Sequence, residues 1–353
     1  MTASMATSLP VPEGTTAAAP VVVVGGGPIG VRFVRELRRR APTQPVVLYD
    51  SEPFAPYNRV QLTAFLAGEI SVEQLVDSDS LAGGPTELRL HCGVVDIDAA
   101  SKKVIDARGR ETTYSTLVLA TGSRPRVPDI PGIGQRNVFV FRTLFDAQRL
   151  QARMASSRRI VVIGGGLLGL ESARAMQRMG DRVIVVDHNP RLMMNQLDDG
   201  AAERLQQHIA DLGIEVLLNE PVARLHGEGK VTGVRLRSGA LLPCDTVLLA
   251  AGIVPSTELA VLAGLRIRRG VQVDDHMRSS DPSIYAIGEC SEHRDRTYGV
   301  VAPGLEQAAV AAHAISGGPV TNYIGSVVAS RLKVLDLPVF SVGRVTERDR
   351  LER

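Results

Sequence analysis

The strings VVVVGGGPIG at residues 21–30 and IVVIGGGLLG at residues 160–169 are one device written twice. In each, a β-branched run breaks at three glycines and a fourth glycine follows three positions on. Val and Ile favour a pleated strand, and glycine frees the backbone for a tight turn. Both copies carry the spacing G-x-G-x-x-G, at Gly25, Gly27 and Gly30 and again at Gly164, Gly166 and Gly169. The first glycine makes the turn, the second lets backbone approach a pyrophosphate, and the third lets helix and strand pack closely. The helix N-terminus that follows, opened by Pro28 and Ile29 in one copy and by Leu167 and Leu168 in the other, offers free N–H groups to phosphate. A single such string is a weak signal. Here each copy follows a strand, opens a helix and precedes a second strand, PVVLYD or DRVIVVD, which is the context a dinucleotide site requires.

Each second strand ends in an acid, Asp50 in the first unit and Asp187 in the second. A carboxylate there accepts hydrogen bonds from adenosine ribose hydroxyls and repels a 2′-phosphate. Glu52 is the alternative to Asp50. Asp187 favours NADH, while His188 and Arg191 behind it leave NADPH open. Two dinucleotide sites in one chain imply a flavin dinucleotide and a nicotinamide dinucleotide, with hydride passing between them. The cofactors carry that chemistry, so the lack of a protein nucleophile or an acid–base dyad is no objection.

Bulk properties narrow the alternatives. The chain has 353 residues, enough for two or three domains, and a net charge of +2, which gives no reason to expect nucleic acid or an acidic membrane as partner. No apolar run reaches the roughly 20 residues that span a bilayer. Residues 1–19 lack the basic start and apolar stretch of a signal peptide, and read as a disordered leader of a cytoplasmic protein. Cys92, Cys244 and Cys290 are scattered, without a C-x-x-C, which argues against structural zinc, an iron–sulfur cluster held by this chain and a redox-active dithiol. No metal site is expected. Cys290 reads as a small buried residue rather than a reactive thiol.

Along the chain, the basic run Arg38–Arg40 reads as a solvated cap on the negative end of the first helix. Short alternating strands fill residues 86–120 with a hairpin turn at DARGR, a Gly- and Pro-rich exit follows at LVLATGSRPRVPDIPG, and a second hairpin lies at GKVTGVRLRSGALLPCD. The order of events in the first half thus repeats in the second. PGLEQAAVAAHAISG reads as a helix with Pro303 near its start and Gly317 past its end.

The strings VVVVGGGPIG, LVLATGSRP, IVVIGGGLLGLE, LLAAGIVPSTELA and IYAIGEC follow the order found in the FAD-dependent pyridine nucleotide–disulfide oxidoreductase superfamily, which residues 20 to about 345 resemble. Without a C-x-x-C the chain is similar to the ferredoxin and rubredoxin reductase branch. PYNRVQLTAFLAGE, YGVVAPGLEQA and SRLKVLDLPVFSVG resemble the flavoprotein portion of assimilatory NAD(P)H nitrite reductase large subunits and the electron-transfer subunits of assimilatory nitrate reductase. The resemblance implies an α/β fold of two Rossmann-like, three-layer dinucleotide-binding domains, the second inserted in the first. FAD would occupy residues 20–122 and 246–320, NAD(P)H residues 123–245, and an incomplete C-terminal interface domain residues 321–353.

The resemblance also implies roles. Gly288 and Glu289 of IYAIGEC would meet the flavin ribityl chain, Glu standing where most relatives have Asp. Thr121 and Gly122 would turn close to FAD, and Asn58 and Arg59, beside Tyr57, would lie by the flavin ring and pyrophosphate. Gly252 of LLAAGIVPS belongs to the same matched set. Glu306 and Gln307 would start a helix aimed at the flavin pyrimidine edge, stabilising charge on reduced flavin, and Glu171 would be an acid near nicotinamide and flavin. Ala64 stands where rubredoxin-reductase relatives carry a Lys that pairs with an acid near the flavin. The implied function is NADH oxidation through FAD with electrons leaving to a metal-containing acceptor: a sirohaem and iron–sulfur nitrite reductase or a nitrate reductase catalytic subunit. The alternatives are a ferredoxin or rubredoxin reductase serving a small iron–sulfur protein, and a catalytically incomplete binding or assembly subunit. A homodimer is compatible with any of them.

Overall fold

The computed structural model describes residues 19–76, 81, 84–318, 321–332, 337 and 339–343. The expected leader lies outside the described residues except for Ala19, as does the chain after Gly343.

Both glycine-terminated strands are central strands. Val21–Val24 pairs in parallel with Val46–Tyr49 on one side and Thr116–Leu119 on the other, and Thr86–Arg89 and Ile284–Ala286 complete a five-stranded parallel sheet. Arg159–Ile163 pairs in parallel with Arg182–Val186 and Thr246–Leu249, and Glu215–Leu217 and Val138–Val140 flank them. The two sheets have the same layout, glycine strand in the middle and acid-ending strand beside it. Burial on both faces explains the unbroken apolar runs, since a parallel sheet is covered on each side. The strand Thr246–Leu249 stands in the second sheet, so the expected return to the first unit at residue 246 is too early. VLL there has the period of any buried strand, and only its pairing partners place it.

Each sheet has helices on one face and a three-stranded antiparallel meander on the other. In the first unit helices α1 (Pro28–Arg40) and, from the far end of the sequence, Val301–Ile315 bury Phe33, Val34, Leu37, Ala308 and Ala311 against the sheet. The opposite face packs on strands Val94–Asp98, Lys103–Asp106 and Glu111–Thr113. In the second unit Leu62–Leu66 (α2), Leu144–Met154 (α3) and Leu167–Arg178 (α4) cover one face, and strands Val222–His226, Gly233–Leu236 and Leu241–Pro243 the other. Helix α2 belongs to the first half of the sequence yet is buried in the core of the second unit.

The basic run stands in the last turn of α1 as expected, with Arg39 and Arg40 exposed and Arg40 donating to the Glu36 carbonyl at 3.0 Å, and its members also have side-chain partners. Arg38 donates to the Thr86 hydroxyl at 2.7 Å, and Arg39 and Arg40 both pair with the buried Glu36, which Arg32 also meets. Burial pushes the Glu36 carboxyl up, but Arg40, Arg32 and Arg39 together hold it below its ordinary value. Crossing between the units is made by a two-stranded antiparallel ribbon, Ser123–Pro125 against Ile253–Pro255. The last described pair, Ala329–Leu332 and Val339–Val342, is antiparallel, and Ser341 donates to the Gln196 carbonyl at 2.6 Å on the second unit.

All three cysteines are buried. Burial pushes the Cys290 thiol up, and pushes Cys244 up to about 12. Because the thiolate is the nucleophile, the folded protein is expected to show no fast-reacting thiol toward a disulfide reagent at pH 8, and three after denaturation. One fast equivalent in the native protein would contradict this burial.

Candidate dinucleotide sites

The two glycine turns match residue for residue. Gly25 and Gly164 have φ of +115° and +121°, and a Cβ on either would stand 2.3 Å from a carbonyl oxygen, that of Ala120 or Ala250. A Cβ on Gly30 would stand 1.9 Å from the Gly25 carbonyl oxygen, and one on Gly169 2.0 Å from that of Gly164. These four positions are glycine because the strand and helix leave no room. The middle pair differs: a Cβ on Gly27 or Gly166 would meet nothing within 4 Å. Gly27 and Gly166 are also the N-caps of α1 and α4, and neither helix has a side-chain cap. The first-turn N–H groups, which normally need a partner, therefore open onto space in front of the turn. An uncapped helix N-terminus facing an open cradle fits a pyrophosphate, and the chain builds it twice.

Pro28 and Leu167 occupy the first helical position. Ile29 packs against Gly288 and Gly304, where a Cβ would come within 3.3 and 2.7 Å of it, so its side chain works inward. Leu168 is 38% exposed beside the second turn, one of the few large apolar groups left facing out near either turn.

Both acids sit beside the middle glycine of their triplet. Asp187 Oδ2 accepts from Gly165 N at 2.6 Å and its Oδ1 accepts from Asn189 N at 2.8 Å. Asp50 lies against Gly26, where a Cβ would stand 2.4 Å from its Oδ2, and accepts from Glu52 N at 3.0 Å. Burial pushes the Asp50 carboxyl up, opposed by those amide contacts. Glu52 is turned elsewhere: it accepts from the Tyr57 hydroxyl at 2.8 Å and from Arg59 at 2.7 Å. Burial pushes the Tyr57 phenol well above its ordinary range.

Arg59 also donates to the Arg142 carbonyl at 2.9 Å, and the Arg142 guanidinium pairs with Glu289. Glu289 accepts from the Ser123 hydroxyl at 2.8 Å as well. Gly122, at φ +66°, places its Cβ direction 3.8 Å from that carboxylate, and Thr121 donates to the Ser256 carbonyl at 2.9 Å, tying the two crossing strands together. Asn58 caps the short helical turn Arg59–Gln61 by accepting from Val60 N at 3.2 Å. The fold thus gathers Asn58, Arg59, Thr121, Gly122 and Glu289, distant in sequence, around one rim. Gly252 (φ +98°) turns the chain into the crossing ribbon, its carbonyl accepting from Arg126 N at 2.9 Å.

Helix Val301–Ile315 begins five residues before Glu306, so Glu306 and Gln307 lie in its second turn and do not start it. Pro303 and Gly304 fit inside the first turn because its N–H groups have no partner within the helix. Glu306 accepts from the Ser326 hydroxyl at 2.6 Å. Gln307 is buried and its Oε1 accepts from Gly288 N at 2.7 Å, holding the IGEC turn from beneath. Glu171 is buried on α4 and accepts from the Thr63 hydroxyl of α2 at 3.1 Å.

Sequence reasoning passed over Arg142, Ser123 and Thr63. Arg142 carried one usable signal, its place just before Thr143, which caps α3 in a reciprocal capping box with Asp146. Nothing local marked the other two. Two concavities of about 580 and 310 Å³, sharing Lys230 and Thr232, lie by the second meander and touch neither glycine turn. Among the described residues no cluster of His, Cys, Asp and Glu could hold a metal, and no helix is long and apolar enough to cross a membrane.

Residues 19–314 match the family described as pyridine nucleotide-disulphide oxidoreductase. The assimilatory nitrate reductase electron transfer subunit of Bacillus subtilis is 37% identical over 94% of this chain and 43% of its own length. The NAD(P)H nitrite reductase large subunit of Klebsiella oxytoca is 39% identical over 92% of this chain and 34% of its own. The chain therefore spans less than half the length of these relatives. The protein named probable ferredoxin reductase CtmF, of Castellaniella defragrans, is 35% identical and 76% covered. Among solved structures, a ferredoxin reductase from Rhodopseudomonas palustris matches with a TM-score of 0.83 at 31% identity, over 88% of this chain and 79% of that one. With its paired uncapped glycine turns and this match over most of its length, the chain belongs to the pyridine nucleotide-disulphide oxidoreductase family.

Proposed function

We propose that the chain oxidises NADH through FAD and passes the electrons to a metal-containing acceptor in nitrite or nitrate assimilation, in the cytoplasm. The observation that carries this reading is the doubled cradle, open and uncapped at Gly27 and Gly166, in a chain similar to a nitrate reductase electron transfer subunit. A flavin and a nicotinamide dinucleotide held at these turns would supply hydride transfer between the two rings and single-electron release to the acceptor.

The chain's own residues bind and orient. The first-turn amides of α1 take the FAD pyrophosphate and those of α4 the NADH pyrophosphate. Asp50 and Asp187, fixed by backbone amides, accept from the two adenosine riboses, and the Asp187 charge disfavours a 2′-phosphate. Glu289, held by Ser123 and Arg142, would accept from the ribityl hydroxyls, with Arg59, Thr121 and Gly122 around it. Gln307, accepting from Gly288 N, holds the Gly288–Glu289 turn in the conformation that would meet the flavin.

A ferredoxin or rubredoxin reductase is the second reading, favoured by relatives that this chain spans over about three quarters of their length. The decisive experiment is a visible spectrum of the purified chain, followed by anaerobic additions of NADH and NADPH and then of a chosen acceptor. A yellow protein bleached by NADH is the expected result. Reoxidation by a nitrite or nitrate reductase partner, and not by ferredoxin or rubredoxin, supports the first reading, and the reverse supports the second. A chain that stays colourless after FAD reconstitution overturns both, and leaves the binding or assembly role.

A further inference from the structure

Besides the crossing ribbon, the two units meet where helix α2 packs on the helices of the second unit, and that contact is chemically uneven. Helix α2, contributed by the first half of the sequence immediately after the Asn58–Arg59 turn, lies against α4, the glycine-turn helix of the second unit. Leu62, Phe65 and Leu66 of α2 are buried in one core with Leu170, Ala173 and Met176 of α4. Two polar links run alongside. Arg178 and Glu69 pair at the rim, where both are partly exposed and the pair is screened. Thr63 donates to Glu171 Oε2 at 3.1 Å, and here both residues are buried, 6% and 7% exposed.

The interior link is the one that can set geometry. A carboxylate removed from water needs donors, and a hydroxyl-to-carboxylate bond is charge-assisted and stronger in a low-dielectric setting. Glu171 has three rotatable side-chain bonds, whereas Thr is β-branched and stiff at its first. The rigid partner therefore orients the flexible one. The direction also matters: Thr63 sits on the helix that follows the flavin-side rim, and Glu171 sits one turn into the helix whose N-terminus cradles the second dinucleotide.

We propose that Thr63 is a positioning residue for Glu171, setting across the unit boundary where that carboxylate stands relative to the two dinucleotide sites. The inference rests on the reading of the chain as an FAD and NADH oxidoreductase. Thr63 does not itself touch the reacting groups. It acts through Glu171, and the requirement is for a hydroxyl donor at that position rather than for a charge.

The test compares wild type, Thr63→Val and Thr63→Ser as full-length, FAD-loaded chains. Valine keeps the shape and removes the donor, and serine keeps the donor. Three quantities are read: the rate of anaerobic flavin reduction by NADH, the dissociation constant for NADH, and amide exchange in a peptide covering the first turns of α4. Thr63→Val is expected to slow reduction about tenfold, a modest fraction of what misplaced reacting geometry costs. NADH affinity should stay within about twofold, and exchange at the start of α4 should quicken severalfold as the local anchor is lost. Thr63→Ser should return all three toward wild type. Wild-type reduction and exchange in Thr63→Val, or a Thr63→Ser chain as impaired as Thr63→Val, overturns the proposal. If wild type itself is not bleached by NADH, the functional reading falls, while the exchange comparison and its rescue by serine still decide whether Thr63 anchors Glu171.

Discussion

Gly169→Ala is expected to give a protein that holds FAD, is yellow, and is no longer reduced by NADH. The added methyl would stand 2.0 Å from the Gly164 carbonyl oxygen and 3.3 Å from the Ala250 side chain, both parts of the frame of the second turn. Neither neighbour is the free end of a flexible side chain, so backbone must move. Forced strain of this kind costs about 3–5 kcal/mol, the upper range for single substitutions. It falls on the loop that aims the α4 amides, so the loss in NADH binding is expected to be on the order of a hundredfold or more, at about 1.4 kcal/mol per decade. The first unit is untouched, so flavin content serves as the internal control. Gly30→Ala is the mirror experiment, with its methyl 1.9 Å from the Gly25 carbonyl oxygen, and should abolish flavin retention instead. Visible absorbance per chain and anaerobic NADH titration read both. Unchanged NADH reduction in Gly169→Ala would refute the assignment of the second turn.

Asp187→Ala should weaken NADH and erase its preference over NADPH. The carboxylate is buried and already holds Gly165 N at 2.6 Å and Asn189 N at 2.8 Å, so it arrives at the ribose pre-oriented. A hydrogen bond to a charged acceptor contributes about 1.5–3 kcal/mol, so the KM for NADH should rise about tenfold to a hundredfold. Loss of like-charge repulsion acts in the other direction for NADPH, for which His188 and Arg191 then stand nearby. The ratio of kcat/KM values for the two nucleotides reads the effect, with Asp50 and the flavin spectrum unaltered. A ratio that stays at its wild-type value would exclude Asp187 as the selector.

What the sequence made legible was local. A valine run meeting three glycines already implies a buried strand, a tight turn and a helix, because each step depends on residues a few positions apart. Both sheets and both cradles followed from that. Thr246–Leu249 did not, since which parallel sheet a strand joins is decided by partners more than 80 residues away, here Arg159–Ile163 and Val138–Val140. The charges were least legible. Arg38 to Arg40 do stand at the solvated end of their helix, but their partners Thr86 and the buried Glu36 could not be read from the run itself. Pro303 near the start of its helix was readable from the residues, whereas the helix start that the resemblance placed at Glu306 and Gln307 falls five residues too late. Arg142 with Glu289, and Thr63 with Glu171, are side-chain pairings across 147 and 108 positions that no spacing rule encodes.

The crossing ribbon has a consequence for biosynthesis. The strands of the second sheet, from Val138 to Leu249, leave the ribosome as one uninterrupted block, whereas the first sheet must wait for Ile284–Ala286 to cover the side of Thr116–Leu119. During that interval TLVL is an unpaired apolar edge, the kind of surface that recruits other chains. The inner unit is therefore free to complete its fold while the outer one is still open, and translation between residues 120 and 286 is the window in which the nascent protein is most exposed to misassembly.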